Sequence, residues 1–109
     1  MAFDVITPVK LGQAAITVAT ATLYTVPAST RAFVKNIDIA NTTTAAITVN
    51  VYIGAGAAAA GNTLIPSISI PANSTLSWEG VQILDATDTI QTDASATGCT
   101  ITASGAEAV

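Results

Sequence analysis

The sequence predicts an all-β fold: a single antiparallel β-sandwich, jelly-roll-like or Ig-like, of about 7–8 short strands with an N-terminal arm. Three observations predict it. Apolar residues recur at every second position along most of the chain, which is the spacing of a half-buried strand. Pro, Gly, Asn, Asp and Ser interrupt these runs at short intervals, as turns do. The chain also holds 18 Thr among its 109 residues. Thr is β-branched, favours the pleated surface and still tolerates water, so a Thr-rich sheet stays hydrated with few charges.

The length fits one domain with one modest core. Residues 1–13 are weakly patterned and contain Pro8 and Gly12. They read as an N-terminal arm or an edge strand ahead of a sandwich spanning 14–109. "TLYTV" places Tyr24 and Val26 on one face, and the turn "VPAS" stops the strand because Pro lacks a ladder donor. "RAFVKNIDIAN" alternates imperfectly: it groups Phe33, Ile37 and Ile39 but adds Lys35 to the apolar face. A bulge near Lys35 restores the pattern, or Lys35 sits at a sheet rim with its stem over apolar surface.

"AITVNVYIG" is regular, with Ile47, Val49, Val51 and Ile53 on one face and Thr48, Asn50 and Tyr52 on the other. "GAGAAAAG" (54–61) is too short and too Gly-bracketed for a stable helix and reads as a loop. "SISIPANSTLSW" groups Ile68 with Ile70 and, after the turn, Leu76 with Trp78, which is therefore expected in the core. Its "IPANS" turn repeats the chemistry of "VPAS". "DATD" and "SATG" are further polar turns, and "CTITASGAEAV" aligns Cys99, Ile101 and Ala103.

Chemistry is sparse. Charged residues make up 9% of the chain, far below the roughly 25% usual in soluble proteins. The net charge is −4, and Lys10, Arg31 and Lys35 are the only cations. Phosphate neutralisation needs clustered Lys and Arg, so neither a nucleic acid nor a membrane surface is an expected partner. No run approaches about 18 apolar residues, and the start "MAFDVITPVK" reads as having no secretory signal. There is no His, which removes the usual general base and metal ligand. Cys99 is alone and lies in an apolar strand, so it reads as a buried inert thiol. Asp85 and Asp88 share one turn, where local backbone bonds are the expected use and Ca²⁺ ligation the sharper alternative. No catalytic, cofactor or metal residues are nominated, and the chain is expected not to be an enzyme. Tyr24, Tyr52 and Trp78 are the aromatics that could stack on a sugar, and Tyr52 is out of phase with the apolar face. It fits a lectin site or an interface anchor.

Several stretches resemble a group of small virion proteins of tailed bacteriophages, which carry LYTVPAGT, V-x-x-I-x-I-x-N-T, IPAN-x-T-L, D-T-I and a terminal S-G-x-E. Leu23 to Ala28 match the first element, with Ser29 where Gly is usual. Val34, Ile37, Ile39, Asn41 and Thr42 match the second; Ile70 to Asn73, Thr75 and Leu76 the third. Asp88, Thr89 and Ile90 match the fourth, and Ser104, Gly105 and Glu107 the last. The resemblance implies a β-sandwich used in the virion, made in the host bacterial cytoplasm. A capsid decoration protein on the outer shell is the lead expectation. A tail or tail-fibre component and a carbohydrate-binding adhesin module are the alternatives. The expected partners are the major capsid protein and further copies of the chain, a trimer by analogy with capsid decoration. A surface this poor in charge suits being covered, and the arm offers Phe3, Val5, Ile6, Val9 and Leu11 as anchors. With Tyr52 these form the candidate interface.

Overall fold

The structure, a computed structural model, describes residues 5–109. It contains β1 (Ile6–Ala15), β2 (Ala21–Thr25), β3 (Arg31–Asn41), β4 (Ile47–Gly54), β5 (Thr63–Ile70), β6 (Ser74–Leu84), β7 (Thr89–Ala94) and β8 (Cys99–Ala108), with one 3₁₀ turn at Ala60–Asn62. Antiparallel partners nest around the middle of the chain: β4 with β5, β3 with β6, β2 with β7, β1 with β8. The chain is thus one long hairpin whose tip is the Gly/Ala segment. Rolling it up adds the pairs β3–β8 and β4–β7 and gives two sheets, β1-β8-β3-β6 and β2-β7-β4-β5. This wrapped hairpin is the jelly-roll topology. Of the two sandwich types expected, the Ig-like one requires a different division of strands between sheets.

The corners keep the hairpin paired as it crosses from sheet to sheet. Ile16 N donates to Cys99 O at 2.8 Å, and Ala94 N donates to Thr17 O at 3.1 Å. Val26 N donates to Asp88 O at 2.9 Å, and Thr87 N returns a bond to Val26 O at 3.0 Å. Backbone groups that leave a ladder need other partners, and here the facing corner supplies them.

The inner faces bury Val34, Ile37, Ile39, Val49, Val51, Ile90 and Ile101 completely, and Cys99 and Ala103 with them. The expected face of β4 is observed, with Ile47, Val49 and Val51 buried and Ile53 half-buried. Residues 1–4 lie outside the described part of the arm. From Ile6 on, residues of segment 1–13 form the outer strand of a sheet, and β1 continues without a break past residue 13 to Ala15.

A line of bulges crosses the first sheet. β8 keeps strict alternation, while β1 inserts Leu11 and β3 inserts Lys35 against it. β6 in turn carries one extra residue against β3, between Glu79 and Gln82. The bulge at Lys35 reverses the faces of β3: Ala32 and Val34 point inward before it, Ile37 and Ile39 after it. Phe33 therefore does not join Ile37 and Ile39 as strict alternation predicts; it faces outward and is half-buried. The crossing requires Gly105. A Cβ built there meets the Phe33 carbonyl oxygen at 1.7 Å, so no other residue fits.

Trp78 also departs from expectation. It lies on the inner face with Leu76, but both are half-buried, because β6 is the outermost strand and the core ends beneath it. The indole instead lies over Gly80, whose Cβ position is 3.2 Å from Trp78 Cζ2.

One polar side chain ties three segments together inside the sandwich. Asn41 is 2% exposed, and its Nδ2 donates to Ala45 O at 2.8 Å, Ile70 O at 3.0 Å and Pro71 O at 3.2 Å. Its Oδ1 accepts from Thr43 N at 3.0 Å and Thr43 Oγ1 at 2.7 Å. The corner 42–46 and the Pro71 turn thus depend on one amide.

The two Pro-Ala turns share more than composition. Ser29 (φ 57°) and Asn73 (φ 54°) occupy the same left-handed position. The next residue in each, Thr30 or Ser74, donates its hydroxyl to the Ala two residues back, at 3.1 and 3.2 Å. Asn tolerates that backbone region; Ser does so less readily, and Gly without strain.

Two outcomes are expected from chemical denaturation. Asn41→Ala should cost about 3 kcal/mol, because each buried carbonyl or N–H left unpaired costs about 1–3 kcal/mol and some recover water. Gly105→Ala should cost about 3 kcal/mol or abolish folding, since backbone oxygen cannot move aside without breaking the ladder. A Gly105→Ala protein of unchanged stability would show that the bulge line is not where it is described.

Candidate interaction surface

The structure separates the residues nominated for an interface. Phe3 lies outside the described residues. Val5 and Ile6 are 57% and 60% exposed. Val9 is half-buried against the core, and Leu11 is 6% exposed within it. Leu11 is thereby unavailable as an anchor: the bulge at its position turns it between the sheets. Tyr52 is half-buried and engaged with its own chain.

The strand registers assemble a different apolar surface. Pro8, Ala106, Phe33 and Ile83 are direct cross-strand partners in one row over β1, β8, β3 and β6. All four face away from the core. Ile6 extends the row along β1, and Val81 extends it along β6. Ile83 is 58% and Val81 54% exposed. Beyond the bulge line the same outer face turns polar, with Lys10, Ser104, Asn36 and Glu79 forming the next row. Contiguous apolar surface with a polar border is the mark of a contact site.

The outer face of the second sheet carries a polar network centred on Asp93. Asp93 Oδ1 accepts from Asn50 Nδ2 at 2.8 Å, and Oδ2 accepts from Thr20 Oγ1 at 2.9 Å and Tyr52 OH at 3.1 Å. Asn50 Oδ1 accepts in turn from Ser67 N at 2.7 Å. Ser67 has φ 42°, so the network holds a strained kink in β5 against β4. Burial, then the Asp93 hydrogen bond and charge, push the Tyr52 hydroxyl above its ordinary range. The sequence marked Asn50 and Tyr52 as outward-facing, but only the β4–β7 register brings Asp93 beside them.

A second tie joins the sheets. Tyr24 OH, on β2, donates to Glu107 Oε2, on β8. Burial first, then the hydrogen bond to Glu107 and its charge, push the Tyr24 hydroxyl well above its usual range.

The remaining candidates are structural in their surroundings. Cys99 is fully buried, and burial pushes its thiol up, away from the reactive thiolate. Asp88 Oδ2 accepts from Asp85 N at 3.0 Å, and Asp88 N donates to Asp85 O at 3.0 Å, so this pair closes its own turn. Asp85 also meets Arg31 Nε at 3.3 Å in an exposed ion pair, a contact of small worth. Among the described residues, no three of His, Cys, Asp or Glu group where a metal ion could be held. An open depression beside the hairpin tip is lined by Ile53, Asn62 and Gly or Ala residues. Asn62 closes that tip: its Nδ2 donates to Ala57 O at 3.0 Å, and its Oδ1 accepts from Ala59 N at 2.8 Å.

The stretches that carry the phage resemblance are thus each other's partners. Tyr24 reaches Glu107, Asn41 reaches Ile70 and Pro71, and Val26 pairs with Asp88.

The Tyr24–Glu107 tie makes a pH prediction. The folded-state value of Tyr24 is raised, so its contribution is complete below the unfolded tyrosine pKa of about 10 and is lost as pH rises through the folded value. Stability should therefore fall above about pH 10. Tyr24→Phe should lose about 1 kcal/mol at pH 7 and show a shallower alkaline slope, with Tyr52→Phe flattening it further. Urea midpoints measured from pH 7 to pH 11 check this, and a slope identical in wild type and both variants overturns it.

No known protein family, curated protein or solved structure matches the chain.

Proposed function

We propose that the protein is a non-enzymatic structural component of a tailed-phage virion, a decoration protein seated on the outside of the capsid. The observation that carries this reading is the apolar row Pro8, Phe33 and Ile83, flanked by Ile6 and Val81, on the outer face of the first sheet. It is an uncovered contact surface on a chain with few charges and no assembled set of reactive groups among the described residues. The resemblance supplies the virion, and the jelly roll is a fold often used in viral shells. Fold alone does not imply function, so the site carries the weight. The acidic balance favours the outer surface over the DNA-filled interior, where cations are wanted. The partners in this reading are the major capsid protein and further copies of the chain.

The adhesin alternative gains less. Tyr52, Asn50 and Asp93 sit together as sugar-binding residues often do, but both Asp93 oxygens already accept bonds from the protein itself.

Fractionation of the virion tests the location. Many copies on DNA-filled heads are expected; a few copies on isolated tails would move the protein to the tail. Ile83→Glu should keep the fold, because the side chain is exposed, and should weaken co-sedimentation with undecorated heads about tenfold or more, as placing a charge on an exposed apolar anchor does. Unchanged co-sedimentation overturns this face as the contact.

A further inference from the structure

We propose that the β6 edge pairs antiparallel with the β6 edge of a second copy, across a twofold axis at Ser77. The inference rests on self-association within the reading above, but not on the virion assignment.

A jelly roll has four edge strands, and an unguarded edge is a template for another strand. Three of the four edges here are guarded. β1 carries Pro8, Lys10 and the bulge at Leu11. β2 is only five residues long and shifts register between Thr22 and Tyr24. β5 carries Pro66 and the left-handed Ser67, with register shifts against β4. β6 is the exception. It is 11 residues long with neither Pro nor Lys, and from Ser74 to Glu79 it pairs with β3 without a register shift. One side of that segment's backbone therefore offers an unbroken row of donors and acceptors.

The segment's own pattern chooses its partner. A twofold at Ser77 places Leu76 opposite Trp78 of the copy, and Trp78 opposite its Leu76, on the inner face. Both are half-buried precisely where the core ends, so the copy would complete their cover. On the outer face Thr75 lies opposite Glu79 of the copy, where a hydroxyl can donate to a carboxylate. The two Glu79 carboxylates fall about 14 Å apart at roughly 3.4 Å per residue, beyond the screening length at physiological salt. A partner of other sequence has no such built-in match. The contact is isologous and gives a twofold dimer in place of the trimer that capsid decoration implies. A six-residue edge is smaller than a standard stable interface, so the dimer is expected to be weak and concentration-dependent.

Cysteine cross-linking of the full-length chain tests the register. Directly opposed residues in an antiparallel pair have Cα atoms about 4.5–5.5 Å apart, within disulfide range. Ser77→Cys should give a covalent dimer on mild oxidation. Thr75→Cys should not, because it faces Glu79 of the copy. Both positions are exposed, and the native Cys99 is buried and out of reach. Sedimentation velocity should show a dimer for the wild type at high concentration. With Ser77→Lys, which sets two ammonium groups face to face, the dissociation constant should rise about tenfold or more. No cross-link at Ser77→Cys, or equal cross-linking at both positions, overturns the pairing. If heads still bind the protein in that case, only the edge contact has failed; if cross-linking succeeds and heads do not bind, only the capsid assignment has.

Discussion

The close passage of Gly105 beneath the Phe33 carbonyl is the constraint on which the rest of the first sheet depends. Without a Cβ at that point, β3 can bulge at Lys35 against a straight β8, and the faces of β3 reverse there. That reversal keeps Val34 and Ile37 inside although they are an odd number of residues apart, and it sends Phe33 out. Glu107 keeps the inner face of the straight β8, in phase with Cys99, Ile101 and Ala103, and reaches Tyr24 on the other sheet. One missing methyl group thus decides the outer apolar row. A one-residue slip in any strand inverts all its side chains, so a fold that places bulges by sterics specifies register firmly.

The polar ties follow a common logic. A jelly roll bends its chain from sheet to sheet at six corners, and each corner removes backbone groups from the ladder. This chain has few charged residues with which to satisfy them. It uses facing backbone and a handful of short polar side chains instead: Asn41 at one end, Asp88 in its turn, Asn62 at the hairpin tip. Asn serves well because one planar group both donates and accepts. The Asp93 network does the same for a kink within a strand, where Ser67 would otherwise strain the β5 ladder.

Much of this was legible in the residues, and the gaps have definite causes. Period-2 spacing located β3 to β6 and β8, and the mismatch at Lys35 offered a bulge or a rim position, of which the bulge is observed, because both depend on neighbours along the chain. The spacing alone also grouped Phe33 with Ile37 and Ile39, since it cannot tell on which side of a bulge the phase resets. Trp78 read as core for its phase with Leu76; phase fixes the face of a strand, not whether that strand lies at the middle or the margin of its sheet. Leu11 read as a free anchor because the weak pattern of the arm concealed that β1 bulges against β8. The apolar row and the Asp93 network were beyond reach for one reason. Each joins residues from strands far apart in sequence, and only the nested pairing of the rolled hairpin brings them side by side.

That separation between face and edge bears on how such a surface is used. The outer apolar row lies on the face of the first sheet, and the unguarded stretch Ser74–Glu79 lies along its rim, on the other side of the bulge line. A face can be covered by a shape-matched partner of any backbone, because its own hydrogen bonds are complete. An edge can be completed only by another strand. The two contacts therefore do not compete: a copy joined at β6 extends the sheet and, by the twofold at Ser77, carries its own apolar row at the opposite end, about 40 Å from the first at roughly 3.4 Å per residue. Two such rows on one continuous sheet meet a common substrate surface at two separate points. Linked contacts bind far more tightly than either alone, even when the link itself is weak. A chain with few charges and a small core gains by that arrangement, since neither contact has to be strong in isolation for the pair to hold.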